Sequence, residues 1–112
     1  MTADTKVWHV VIYRLFPGVT QERVQQVRDL FAAGVGQCDG LEWARSASNN
    51  SHSPRAAGWS EGVVLQFRDH AARDAYLDHP IHHRIEEVVG DTFYADAVIF
   101  DMDVAVPAEA TT

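Results

Sequence analysis

The segment Val7–Phe16, VWHVVIYRLF, constrains this chain most. A strand with one wet face alternates apolar and polar residues. Here apolar residues occupy both parities, so the segment reads as a strand covered on both faces. Such a strand needs one layer of structure on each side of its sheet. The chain has 112 residues, 46% of them apolar, which is material for one domain with one core. At this length only about two-thirds of the unfolded chain's surface can be buried. A second copy of the chain is the natural source of the missing layer.

The remaining segments supply the first layer. Pro17-Gly18 breaks the opening strand. Thr20 is placed to cap a helix, in which Val24, Val27, Leu30 and Phe31 recur at helical spacing. Gly34–Gly40 ends it. Leu41–Ser48 alternates, with Leu41, Trp43 and Arg45 on one face and Glu42, Ala44 and Ser46 on the other. Asn49–Gly58 has loop composition. Trp59–Phe67 predicts a third strand, with Trp59, Glu61, Val63, Leu65 and Phe67 sharing a face. Asp69 caps a short helix through Leu77, and His79-Pro80 starts another that Gly90 terminates. Tyr94–Val104 is the last strand.

The order β-α-β-β-α-α-β predicts an α+β domain of ferredoxin-like topology. Its first and third strands lie at the centre, its helices cover one face, and the other face is bare. Closing that face with a second copy makes a homodimer, a dimeric α/β barrel. Residues 1–6 read as a flexible leader, 7–104 as the domain and 105–112 as a flexible tail.

Charge excludes several function classes. The net charge is −7 and the nine Lys plus Arg form no run, so nucleic acid is not an expected partner. No apolar stretch reaches the ~20 residues that span a bilayer, no signal-peptide pattern opens the chain, and the single Cys38 has no partner for an internal disulfide. The expectation is a cytoplasmic protein without membrane partner. Cys38 lies in a Gly-rich turn with no cationic neighbour in sequence to activate it.

The candidate chemistry sits in two places. His9 lies mid-strand on the side of Val11 and Tyr13. Alone, it reads as a core residue satisfied by a hydrogen bond. Glu61, on the neighbouring strand, is costly to bury unpaired. Either it reaches water at the strand's mouth, or it pairs with His9 and charges or orients the imidazole. The second place is Tyr76-Leu77-Asp78-His79-Pro80-Ile81-His82-His83. Helical spacing sets His82 beside the Ile85 and Val89 stripe, sets His83 toward solvent with Glu86, and turns Tyr76 inward after Ala72. His9, Glu61, Tyr76 and His82 then converge in an apolar pocket, with the small residues Ala72, Ala75 and Ala97 leaving room for a cavity. Two imidazoles and a carboxylate also permit a metal reading, but no compact ligand spacing supports it, and neither metal nor cofactor is expected.

On the strand HVVIYRLF with His9, the segment YLDHPIHH from Tyr76, and the closing VIFDMD with Asp101, the chain resembles the stress-responsive dimeric α/β-barrel (Dabb) family over roughly Trp8–Met102. That resemblance implies a homodimer and, in the branch of olivetolic acid cyclase-like polyketide cyclases, cofactor-free aldol ring closure by a tyrosine and a histidine. It also implies lyase chemistry in a second branch. Carried over by motif, the catalytic pair falls on Tyr76 and His82, with His9 beside them. The pocket lining falls on Val11, Tyr13, Val27, Phe31, Val63, Ile85, Tyr94 and Ile99. The cyclase has a histidine where this chain has Glu61, which changes the charge of the pocket. The implied ligand is a small apolar, aromatic or polyketide-like carbonyl compound. The alternative is a non-catalytic stress-responsive or ligand-binding barrel.

Overall fold

The structure, a computed structural model, describes residues 3–107. It contains β1 (Ala3–Leu15), α1 (Gln21–Ala33), β2 (Leu41–Ser48), a 3-10 turn at Pro54–Ala56, β3 (Glu61–Phe67), α2 (His70–Leu77), α3 (Pro80–Val89) and β4 (Tyr94–Pro107). The strands form one antiparallel sheet in the order β2-β3-β1-β4. This is the expected α+β ferredoxin-like topology, with β1 and β3 central.

The two outer segments differ from expectation. Residues 3–6 and 105–107, read as parts of a leader and a tail, pair with each other from Ala3–Pro107 inward. Thr5, Val104 and Val106 prolong the β pattern, and pairing satisfies the backbone groups of both strands at once. The rest of both stretches lies outside the described residues. At the other end, β3 starts at Glu61, so Trp59 is not part of it.

Local chemistry sets each helix. Thr20 accepts from the Arg23 amide at the start of α1. Asp69 accepts from the Ala72 amide at α2, and His79 Nδ1 accepts from the Ile81 amide at α3, where Pro80 opens the first turn. The C-terminal carbonyls of α3 receive the Arg23 guanidinium, 3.1 Å from Val88 O and 3.0 Å from Val89 O, so α1 and α3 are clamped end to side. Gly40 has φ +84°, and a Cβ there would meet the Ala72 Cβ at 2.5 Å. Only glycine lets the turn before β2 come this close to α2.

The helices bury one face of the sheet. Val7, His9, Val11 and Tyr13 of β1 and Glu61, Val63, Leu65 and Phe67 of β3 all point into it. A bulge at Leu41/Trp43 corrects the alternation read for β2. Leu41 enters the core opposite Phe67, while Trp43 turns to the open face and meets Trp8 edge to face at 5.5 Å. The open face carries Ile12, Val98, Phe100 and Met102, each more than a third exposed.

Candidate active site

The register decides which side chains meet. His9 lies opposite Leu65 on β3 and Asp101 on β4, whereas Glu61 lies opposite Tyr13, four residues away along the strand. The expected His9–Glu61 pair therefore does not form. His9 Nδ1 bonds Asp101 Oδ1 at 2.6 Å. Because a carboxylate only accepts, Nδ1 carries a hydrogen, and in the neutral ring Nε2 keeps the lone pair.

Glu61 has a different partner. Arg28 reaches down from α1 and grips it with a two-pronged contact, Nε to Oε2 at 2.6 Å and Nη2 to Oε1 at 2.7 Å. Arg28 also donates to Ser48 Oγ at 3.0 Å. Glu61 is 3% exposed, so it does not reach water either. Its carboxylate is satisfied by a geometry that guanidinium supplies and imidazole does not.

Tyr76 is the centre of the remaining cluster. It is 1% exposed, and among the described residues no protein group bonds its hydroxyl. Burial pushes its phenol well above the usual tyrosine range, so the group stays protonated and available as a donor. Centroid to centroid, the His82 ring lies 5.1 Å and the His9 ring 6.3 Å from the Tyr76 ring, both edge to face. His82 Nδ1 donates to the Leu77 carbonyl at 3.1 Å. A carbonyl cannot donate, so this bond places a hydrogen on Nδ1, and the neutral ring then has its lone pair on Nε2. The geometry follows from the break between α2 and α3, which leaves the Leu77 carbonyl unpaired within its helix and points it at His82.

These groups line a cavity of about 300 Å³ between β1, β4 and the helices. Its wall includes Val11, Tyr13, Phe31, Ile85, Tyr94 and Ile99. Of the other two residues expected in the wall, Val27 and Val63 are buried in the core behind it. Ile99 is 60% exposed and marks the mouth on the β4 edge. Ala97 lines the cavity, while Ala72 and Ala75 line a separate hollow beside Cys38. Burial raises the Cys38 thiol above its ordinary range, which disfavours a nucleophilic thiolate.

A larger hollow, about 670 Å³, lies under the Asn49–Ser60 loop at the open face and takes in Ile12, Arg45, Trp59 and Glu61. It is roomier but chemically poorer. Its one carboxylate is already held by Arg28, and no histidine or tyrosine lines it. The metal reading through His9, Glu61 and His82 fails on the same distances that separate Glu61 from His9. The ligand-type side chains that do cluster among the described residues are His82, His83 and Glu86. There Glu86 lies 3.6 Å from half-buried His82 and 3.4 Å from exposed His83 on the same helix.

The stress responsive A/B barrel domain (Dabb) matches residues 7–104. The chain belongs to the Dabb family. None of the curated proteins matches it. Among solved structures, a dimeric ferredoxin-like protein of unknown function from Jannaschia is similar at 22% identity and TM-score 0.78, covering 88% of this chain and 99% of that one. A Dabb protein from Mesorhizobium loti has TM-score 0.69 at 18% identity, over 94% and 99% of the two chains. A hydroxynitrile lyase from Passiflora edulis has TM-score 0.78 at 13% identity, over 96% of each. At such identities the likeness is one of fold. No helix of the described Dabb domain is long and apolar enough to cross a membrane.

Two features of the site escaped the sequence reading. Arg28 falls among the polar residues between Val24, Val27, Leu30 and Phe31, and nothing in its spacing singles it out. Asp101 was noted as part of VIFDMD, but only the β1–β4 register makes it the partner of His9.

Proposed function

We propose that this Dabb protein is a cofactor-independent enzyme for a small carbonyl compound, with aldol-type cyclisation or related lyase chemistry. The observation that carries the reading is the buried, unpartnered hydroxyl of Tyr76, a residue in the wall of a cavity that His82 also lines. A buried hydroxyl without a partner is uncommon, and a ligand oxygen satisfies it. His82 Nε2 takes a proton from the carbon alpha to a carbonyl. The C–H electron pair becomes the enolate double bond, and the charged oxygen receives the Tyr76 hydrogen bond. The enolate carbon then attacks a second carbonyl within the same chain, forming the C–C bond, and the resulting alkoxide takes the proton back from His82. Run in reverse from a hydroxyl, the same steps cleave a C–C bond, the class of reaction that the name of the Passiflora relative implies.

A cavity of about 300 Å³ is at the small end of ligand sites, which favours a compact aromatic or short polyketide-like substrate. The bare sheet face points to a homodimer. Ile12, Val98, Phe100 and Met102 make a contiguous apolar patch there with Trp8 and Trp43, and patches of that kind mark interfaces. The relatives from Jannaschia and elsewhere are described as dimeric.

A thermal-shift screen of the wild type and His82→Ala against small aromatic acids, phenols and β-diketones tests the reading. Stabilisation of the wild type by one class, lost in the variant, supports it. Equal response of both proteins to every compound contradicts it.

A further inference from the structure

His9 has an anchor that extends beyond a single pair. Asp101 gives Oδ1 to His9 Nδ1 at 2.6 Å and Oδ2 to Arg73 Nη1 at 2.8 Å. Arg73 comes from α2, three residues before Tyr76, and its Nε bonds Asp74 at 2.7 Å. His9 itself is 6% exposed. It lines the cavity, and among the described residues no protein group bonds its Nε2. Phe67 and Tyr76 flank its ring edge to face at 6.5 Å and 6.3 Å, so the ring has little room to turn.

We propose that Arg73 and Asp101 are positioning residues that lock His9 as its Nδ1–H tautomer and present its Nε2 lone pair to the cavity as a second fixed hydrogen-bond acceptor. The logic is one of donor and acceptor count. A guanidinium only donates, so it claims one carboxylate oxygen and holds the other on His9. A carboxylate only accepts, so the imidazole must place its hydrogen on Nδ1. The cavity then presents the Tyr76 hydroxyl as a donor and the Nε2 atoms of His9 and His82 as acceptors, with Tyr13, Tyr94 and Glu86 also in its wall. Resting on the proposed reading, this narrows the ligand to molecules that carry a hydroxyl donor near a carbonyl acceptor, such as enols of β-diketones, hydroxyketones and acyl phenols.

The test is long-range nitrogen–proton NMR of the full chain at a pH where the ring is neutral, with the His9 signals assigned by their loss in His9→Gln. The wild type should show the proton on Nδ1. In Asp101→Asn the amide carbonyl must turn to Arg73, which only donates, so its NH₂ faces His9. The two ring-nitrogen resonances should then exchange identities, with the proton on Nε2. In Asp101→Asn/Arg73→Met the amide is free to turn, and the Nδ1–H form should return. A wild type protonated on Nε2 overturns the proposal, whether or not the Asp101 variants fold. Asp101→Asn unchanged from wild type also overturns it. An inversion that persists in the double variant removes Arg73 from it. None of these readouts needs turnover, so an inert Tyr76–His82 pair would refute the proposed reaction and leave this inference standing.

Discussion

Arg28→Met should be among the most damaging single substitutions on the surface of α1. The Glu61 carboxylate is 3% exposed and accepts two short bonds from Arg28, so the variant leaves a buried charge with only Ser48 beside it at 3.5 Å. Removing one partner of a fully buried pair costs about 3–5 kcal/mol. The Arg28 side chain is 25% exposed, so water can follow it out, and we discount the cost to about 2–3 kcal/mol. Glu61→Gln should cost about 1–2 kcal/mol, because the amide oxygen still accepts from Arg28 while its NH₂ faces a donor. The double variant Arg28→Met/Glu61→Met should recover much of the loss, since a satisfied apolar pair is close to neutral. Urea unfolding followed by circular dichroism measures all three. With a slope of about 1.5 kcal/mol per molar, Arg28→Met should lower the midpoint by roughly 1.3–2 M. Midpoints within about 0.3 M of wild type, the range of ordinary surface changes, would refute the claim that this pair is buried and essential.

Further outcomes follow from the same geometry. Tyr76→Phe deletes a buried hydroxyl that has no partner, so calorimetry should find the protein unchanged or up to about 1 kcal/mol more stable; a clear loss would mean the hydroxyl has a structural bond. Phe100→Glu sets a charge in the apolar patch of the open face, where Phe100 is 55% exposed, and light scattering should find a folded monomer in place of the dimer proposed for the wild type. Burial pushes the Tyr13 and Tyr76 phenols above their ordinary 10.0, so the folded state keeps protons that the unfolded chain releases. Stability is therefore level below about pH 10 and falls above it, and the fall should be shallower in Tyr76→Phe than in the wild type.

Much of the architecture was legible because its signals are local. Thr20, Asp69, His79-Pro80 and Gly90 punctuate the helices where the sequence places them. The two-sided apolarity of β1 correctly announces a central strand with one face left for another layer. Bulges and register are not local, and the errors lie there. The bulge at Leu41/Trp43 moves Trp43 to the opposite face from Leu41, and no residue of Leu41–Ser48 signals it. Tyr76 and His82 could be paired from helical spacing, because both depend on α2 and α3 alone. The partners of His9 and Glu61 could not. Each is set by which strand or helix arrives from more than 30 residues away, Arg28 for Glu61 and Asp101 for His9. Ion pairs of that kind are chosen by the fold's three-dimensional register and leave no spacing to read.

The central claim is that His82 and Tyr76 form a base and an oxyanion donor. It is tested most directly by the rate at which the protein exchanges the alpha protons of a β-diketone such as pentane-2,4-dione for deuterium in D₂O, followed by proton NMR. Exchange should be faster than buffer with wild type, reduced about 10²-fold or more in His82→Ala and substantially in Tyr76→Phe, with both variants folded. Wild-type acceleration that survives both substitutions would contradict it.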